Sequence, residues 1–358
     1  MIILGIETSC DETAAAVLQK TGKQIKILSN VVASSATLQA KYGGVIPEQA
    51  AREQLRSIIP VIQEALTSAF KSTSSSKISN FKFQISKIDA IAVTYGPGLI
   101  GSLLVGVETA KTLALTWNKP LIPVNHLLGH FYANWITSTH LPGAQAHLEG
   151  VPKFPCIGLL VSGGHTDLVL FEDYNKYKYL GGTRDDAAGE CFDKCARLLG
   201  LPYPGGPQIA KLAQTGNPDK FILPIPMRES KDFDFSYSGL KTAVANLIKE
   251  TGKLSQQEKA DLASSIEQTI VTSLIDKVVL AIQHYNIDQI MVAGGVAANQ
   301  RLKEELESRV KSQGKKIKLH IPPPELCTDN AAMIASAAFF LNPIKNPVIL
   351  QANPNLSL

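Results

Sequence analysis

Two stretches far apart in this chain follow the same plan. IILGIETSCDETAAAVL (residues 2–18) and CIGLLVSGGHTDLVLF (residues 156–171) each set an apolar run, a short polar turn bearing hydroxyl and acidic groups, and a second apolar run. Each predicts a β-hairpin with a polar tip. After the first hairpin come a helical stretch from Pro47 to about Phe70 and a strand in DAIAVTYGPG. A helix in GSLLVGVETAKTLALTW follows, with Leu103, Val107, Ala110 and Leu113 at helical spacing. Two similar halves, each opened by a hairpin and closed by helices, predict duplicated α/β domains facing each other across a cleft. We place the first at residues 1–125 plus 326–358. The second, with helical insertions, is placed at 126–325.

The 358 residues are 45% hydrophobic and 18% charged, enough apolar material for a sizeable core. A net charge of +4 neither demands nor opposes a nucleic-acid partner. The opening MIILGIETSC lacks a basic, then apolar signal layout, since Glu7, Asp11 and Glu12 follow at once. No run reaches the apolar length of a membrane span. The five cysteines, at 10, 156, 191, 195 and 327, suit a reducing cytoplasm better than a disulfide framework. Cys191 and Cys195 read as small residues on a helix face, because no second pair completes a zinc spacing. The Ser/Lys-rich KSTSSSKISNFKFQ and the Pro/Gly/His-rich TSTHLPGAQAHLEGVPKF read as surface loops, with His140 and His147 exposed. KNPVILQANPNLSL reads as a tail along the surface.

Several patterns carry chemistry. In VNHLLGH, His126 and His130 stand at i and i+4, so on a helix both imidazoles can point at one spot. Two separately satisfied histidines would show the same spacing. Three glycine turns, TYGPGLIG, LLVSGGHTD and IMVAGGVAANQRL, follow apolar strands, where backbone N–H groups can cradle a phosphate. None matches a Walker loop or a GxGxxG in a βαβ unit, which argues against a P-loop ATPase and a Rossmann dehydrogenase. Asp185, Asp186, Glu190 and Asp193 crowd one segment before PYPGGP. Helical spacing puts the last three on one face, as either a solvated acidic surface or part of a ligand site.

The ordered motifs GIETSCDETAAAV, GGVIPEQAARE, GPGLIGSLLVGVETAK, NHLLGH, LLVSGGHTDL, DDAAGECFDKCARLLGLPYPGGP, FSYSGLKTAV, VAGGVAANQRL and CTDNAAMIA carry a resemblance that runs from Gly5 to about Ala335. Together they resemble the universal tRNA threonylcarbamoyladenosine transferase family, once named O-sialoglycoprotein endopeptidases. The resemblance implies the actin/sugar-kinase/Hsp70-like (ASKHA) duplicated fold. It implies one divalent metal ion held by His126, His130 and Asp329, a set that favours iron(II), with zinc as the alternative. It implies a nucleotide site at Leu160, Val161, Ser162, Gly163 and Gly164, with Asp193, Gly206 and Asn299. Two departures stand out: Ala210 where many members are acidic, and Gln54 where AREH is more usual. The implied reaction moves a threonylcarbamoyl group from threonylcarbamoyl-AMP to the exocyclic amine of the tRNA adenosine just 3′ of the anticodon, with Glu12 as candidate base. A paralogous ASKHA-fold subunit and a small P-loop ATPase are the implied protein partners.

The alternatives are a metal-dependent endopeptidase and an ASKHA-fold ATPase or binding module. The first lacks the Glu of HExxH, since Leu127, Leu128 and Gly129 separate the histidines. The second would hold magnesium through phosphate rather than through histidines. Arg52, Arg56, Arg184 and Lys241 stand in motif-bearing segments and are the expected tRNA phosphate contacts.

Overall fold

Ile3, Leu4 and Ile6 of strand β1 (Ile2–Glu7) and Ala14 to Leu18 of β2 (Glu12–Thr21) are fully buried. Burial on both faces explains why neither run alternates apolar with polar residues. The two pair antiparallel, Ile6 opposite Ala15 and Leu4 opposite Val17, forming the expected first hairpin. Strand β3 (Gln24–Ser34) lies antiparallel beside β2. On the other side of β1, β4 (Ala90–Gly96) and β5 (Leu121–Asn125) run parallel to it.

A second sheet repeats this arrangement. Strands β6 (Cys156–Val161) and β7 (Thr166–Asp173) form the second hairpin, and β8 (Lys176–Gly182) pairs antiparallel with β7. Strands β9 (Gln289–Ala293) and β10 (Lys318–His320) extend parallel from β6. The order β8-β7-β6-β9-β10 matches β3-β2-β1-β4-β5 strand for strand and direction for direction.

This computed structural model describes residues 1–35, 39, 44–70, 77–137, 150–312 and 317–358; His140 and His147 lie outside them. The chain divides into two compact units, Met1–Val151 with Thr328–Leu358, and Pro152–Cys327. The helices described in the first unit are α1 (Pro47–Ala69), α2 (Lys77–Lys87), α3 (Ile100–Trp117) and α4 (His126–Tyr132). In the second they are α5 (Ala188–Leu198), α6 (Gly205–Ala213), α7 (Ser238–Thr251), α8 (Gln256–Tyr285), α9 (Gln300–Lys311) and α10 (Pro324–Cys327). Helix α11 (Ala331–Ala338) belongs to the first unit again. Helix α1 opens with Pro47, whose missing N–H costs nothing at a helix start. It buries Ala50, Gln54, Ile58, Ile62 and Leu66, one stripe at four-residue spacing.

Two expectations change. The stretch expected as a loop from Lys71 to Gln84 enters a helix at Lys77, and Gln84 and Ile88, four positions apart, turn inward. The first boundary falls after Val151 rather than after Asn125, because α4 packs on α11. Ser336 Oγ donates to the Tyr132 carbonyl at 2.8 Å, and a Cβ at Gly129 would lie 2.7 Å from Ile334 Cδ1. Every residue of α11 is buried, and most are alanine. That smallness lets it lie against β1, where a Cβ at Gly5 would come within 2.5 Å of the Ala331 carbonyl. The helix start that carries Asp329 is fixed by this fit.

Candidate functional site

In the first sheet the parallel strands β1, β4 and β5 end at Glu7, Gly96 and Asn125. Ligand sites of open α/β sheets form beyond such carboxyl ends. Helix α4 starts immediately after β5, with the Asn125 side chain accepting the Leu127 N–H at 2.8 Å as its cap. His126 and His130 therefore project from one face, their ring centroids 4.7 Å apart. Asp329 arrives just before α11, whose cap is Asn330 accepting the Met333 N–H at 3.0 Å. One oxygen, Asp329 Oδ1, stands 3.5 Å from His126 Nε2 and 3.2 Å from His130 Nε2. The donor atoms of all three residues lie within 4.8 Å of one another, so the cluster can hold a metal ion.

The donor set fits a cation. His130 is 2% exposed; its Nδ1 has no hydrogen-bond partner, and its Nε2 faces the Asp329 carboxylate at 3.2 Å without hydrogen-bond geometry, a costly arrangement for a buried ring unless an ion completes it. His126 is oriented from behind: Glu7 Oε2 is 3.1 Å from its Nδ1. Glu7 is fully buried and also accepts from Thr94 Oγ1 and the Ser9 N–H. A carboxylate that fixes an imidazole and leaves Nε2 free to ligate is the usual outer partner of a metal-bound histidine. Burial by itself would raise Glu7, but the His126 beside it outweighs this and holds the carboxyl below its ordinary value. Burial would depress His126, and the charges of Glu7 and Asp329 reverse that, raising it to about 9. The sequence marks Glu7 only as an acidic residue after an apolar run. The signal was there: a strand buried on both faces leaves its last side chain no way out to solvent.

Glu12 begins β2, with the Ser34 hydroxyl donating to Oε1 at 3.2 Å. Burial, with the charges of Asp329 and Asp11, pushes its carboxyl up to about 9. The turn before it is held by Gln54, whose Nε2 donates to the carbonyls of Cys10 at 3.1 Å and Glu12 at 2.9 Å. Gln54 thus ties α1 to the hairpin tip that carries Glu12.

In the second unit the ends of β6 and β9 bear the glycine turns. Leu160 and Val161 are buried strand residues. The tip closes by Ser162 N–H to the His165 carbonyl, 2.8 Å, and by His165 N–H to Ser162 Oγ, 3.1 Å. It is seated on α5, since a Cβ at Gly189 would lie 2.5 Å from the Ser162 carbonyl. Gly163 and Gly164 are exposed, with nothing within 4 Å of an added Cβ. Gly295 is equally open, whereas Gly294, at φ +90°, is pressed on the Val161 carbonyl. The third glycine turn departs from expectation: Gly96 meets the Asn353 carbonyl and Gly98 the Ser9 carbonyl, so these glycines serve close packing.

Asp193 Oδ1 accepts the Gly205 N–H at 2.7 Å and so anchors the start of α6, where Gly206 follows with room for a side chain. Asn299 caps α9 by accepting the Leu302 N–H at 2.9 Å, while Nδ2 donates to Glu267 at 2.7 Å. Both residues therefore have structural duties. Asp186 precedes α5, yet it converges with Glu190 on a single cation. Asp186 and Glu190 pair with Lys194 at 2.6 and 2.9 Å. Asp185 receives the N–H groups of Tyr237 and Ser238 and the hydroxyls of Ser236 and Ser238. Of the expected tRNA contacts, Arg52 pairs with Glu48, Arg56 with Glu53, and Arg184 with both Asp232 and Asp234. Cys191 and Cys195 are buried core residues with sulfurs 4.0 Å apart. Among the described residues no helix is long and apolar enough to cross a membrane.

The repeated sheet and the His/His/Asp cluster, with both histidines buried, define a duplicated α/β protein with a candidate metal centre in one copy. Residues 26–336 match the tRNA N6-adenosine threonylcarbamoyltransferase family. Relatives of that name from Symbiobacterium thermophilum and Thermosipho melanesiensis are each 48% identical, over 100% of this chain and 97% and 100% of their own length. One from Moorella thermoacetica is 45% identical over 99% of this chain and 97% of its own. The chain belongs to this family. Among solved structures it is similar to full-length HypF in a phosphate- and nucleotide-bound form (TM-score 0.55, 13% identity, 94% of this chain and 45% of that one). HypF from T. kodakarensis gives a TM-score of 0.55 at 15% identity, over 95% of this chain and 47% of that one. This likeness is one of fold, and the chain spans about half the length of those structures.

Proposed function

We propose that this chain transfers the threonylcarbamoyl group of threonylcarbamoyl-AMP to the exocyclic amine of the tRNA adenosine immediately 3′ of the anticodon. The observation that carries the reading is the convergence of His126, His130 and Asp329, from positions 126 to 329, in a member of this family. The N–H groups of Gly163 and Gly164 are assigned to phosphate oxygens, with Ser162, whose own N–H is held by the His165 carbonyl, shaping the turn that presents them. Asp193, Gly206 and Asn299 are assigned to the rest of the nucleotide through the hydrogen-bonding capacity their caps leave over. The amine nitrogen forms a bond to the carbonyl carbon, the bond to the AMP phosphate oxygen breaks, and the amine proton passes to the ionised form of Glu12. That form is a minor one near neutral pH, because burial and the charges of Asp329 and Asp11 raise its pKa to about 9. The mixed anhydride is already activated, so placement and charge stabilisation supply most of the acceleration. When bound, the divalent ion, iron(II) by preference or zinc, supplies Lewis acidity to substrate oxygens. Glu7 holds the His126 ring, and Gln54 holds the backbone on either side of Glu12.

Both units are proposed to be ASKHA-type folds, in keeping with their identical sheet topology. A cytoplasmic setting, a paralogous ASKHA-fold subunit and a small P-loop ATPase complete the proposal. The ion pairs of Arg52, Arg56 and Arg184 mean that tRNA phosphates must compete with carboxylates there, which leaves Lys241 the simplest contact. The test is a reconstituted reaction of tRNA, threonine, bicarbonate and ATP with the partner subunits, scoring the modified nucleoside. Product that depends on this chain and is lost in His126→Ala supports the reading. Undiminished product with His126→Ala removes the metal centre from it.

A further inference from the structure

Helix α4 has only 7 residues and carries both imidazoles of the cluster. A helix this short has no stability of its own, so its direction is set by whatever holds its ends. Its first turn is held by Asn125, which is 7% exposed and uses its amide in two directions. Oδ1 accepts the Leu127 N–H at 2.8 Å, and Nδ2 donates to the Ser357 carbonyl at 2.9 Å. The partner on the second side belongs to the last stretch of the chain, which is pinned at several further points. Leu350 is 8% exposed and sits in the core of the first unit. The Asn353 N–H donates to the Tyr95 carbonyl at 2.7 Å, and the Gly98 N–H donates to the Pro354 carbonyl at 3.3 Å. Gly96 has no room for a Cβ because the Asn353 carbonyl lies against it.

We propose that residues 350–357 are a positioning strap for the metal helix. Through Asn125 they fix the start of α4, and with it the ring of His126, so that metal affinity depends on a segment that contributes no ligand. The argument is geometric. His126 is the residue after Asn125, and its ring must meet Glu7 at one nitrogen and face Asp329 with the other. Supporting groups of this kind have to hold a site to about half an ångström. Releasing the Ser357 carbonyl lets the cap, and then the ring, drift from both partners.

This inference rests on the metal-centre reading, and the experiment separates the two. Zinc(II) alone is titrated against a fluorescent chelator with four metal-stripped, full-length proteins: wild type, Asn125→Ser, a chain truncated after Gln351, and His126→Ala. Serine still caps a helix start but is too short to reach Ser357. Asn125→Ser and the truncation are expected to weaken zinc binding by similar factors, about tenfold, the scale of an outer-partner loss. The stabilisation that zinc gives to thermal unfolding should shrink accordingly. A role in packing alone would lower the melting temperature of the stripped protein and leave zinc affinity unchanged. If the truncated chain fails to fold, Asn125→Ser decides. Folded Asn125→Ser that binds zinc within twofold of wild type overturns the strap. Zinc binding that survives His126→Ala overturns the metal centre itself, and the strap with it.

Discussion

The two sheets share a topology but spend the ends of their parallel strands in opposite ways. In the first, the end of β1 and the start of α4 present Glu7, His126 and His130, side chains almost wholly withdrawn from water. In the second, the turn after β6 presents Gly163 and Gly164, where the backbone is the chemistry and the space beside it is open. The same place in one topology thus yields a charge-dense pocket of side chains in one copy and a bare rim of N–H groups in the other. A duplicated scaffold fixes where chemistry happens; the residues after each strand decide which kind.

The contrast predicts different responses to substitution. The largest belongs to the first sheet: purified wild type should carry about one metal ion per chain, and His130→Ala should carry almost none by elemental analysis. Full occupancy in His130→Ala would put the ion elsewhere. Next is Glu7→Gln, which keeps the shape but lets an amide present the wrong hydrogen-bonding face to His126. Metal affinity should drop by about 10–100-fold, and an unchanged affinity would reduce Glu7 to a packing residue. In the second sheet, Gly163→Val adds a branched side chain where no protein atom lies within 4 Å. The melting temperature should hold while AMP affinity, measured by calorimetry, falls about tenfold, roughly 1.4 kcal/mol. Undiminished AMP binding would end the likeness of this turn to a phosphate cradle.

The smallest effect is one of stability and pH. The hydroxyls of Ser236 and Ser238 and two backbone N–H groups overcome partial burial and hold the Asp185 carboxyl down at about 2, below its ordinary 3.8. A depressed acid stabilises the fold above its unfolded pKa and loses that contribution as pH falls through the folded one. Asp185 is exposed, so solvent screening discounts the shift, and Asp185→Ala should cost at most about 1 kcal/mol near neutral pH. The gap between variant and wild type should close between pH 4 and pH 2. A gap constant across that window would show that Asp185 acts without its charge.

The fold was legible where burial was symmetrical. Apolar runs on both sides of a polar tip mark both hairpins, and the helical stretch expected from Pro47 to about Phe70 corresponds to α1. The helix Lys77–Lys87 was not, because the inward residue described on it is Gln84, and a glutamine does not read as core. At the site, four-residue spacing aligned His126 with His130, but no local rule reaches Asp329. Its partnership depends on an alanine-rich helix laid over Gly5 and Gly129, a tertiary fit that only the family resemblance anticipated. Asp193 is legible as part of an acidic helical face, and its site role and that of Asn299 come from the resemblance. That Asp193 holds the Gly205 N–H and Asn299 caps α9 depends on where α6 and α9 begin.

The return of the chain to its first unit at Thr328 has a consequence for how the protein is made. When residue 151 leaves the ribosome, β1 lacks the alanine-rich layer that covers Gly5, and the histidines lack their carboxylate. Residues 152–327 must be synthesised first, which at ordinary rates takes roughly ten to thirty-five seconds. The second unit is contiguous and can close during that time. The first must wait, its apolar sheet face exposed, until α11 emerges. Translation therefore imposes an order on this duplicated protein: the later copy can close first, and the His126, His130 and Asp329 cluster is assembled after it.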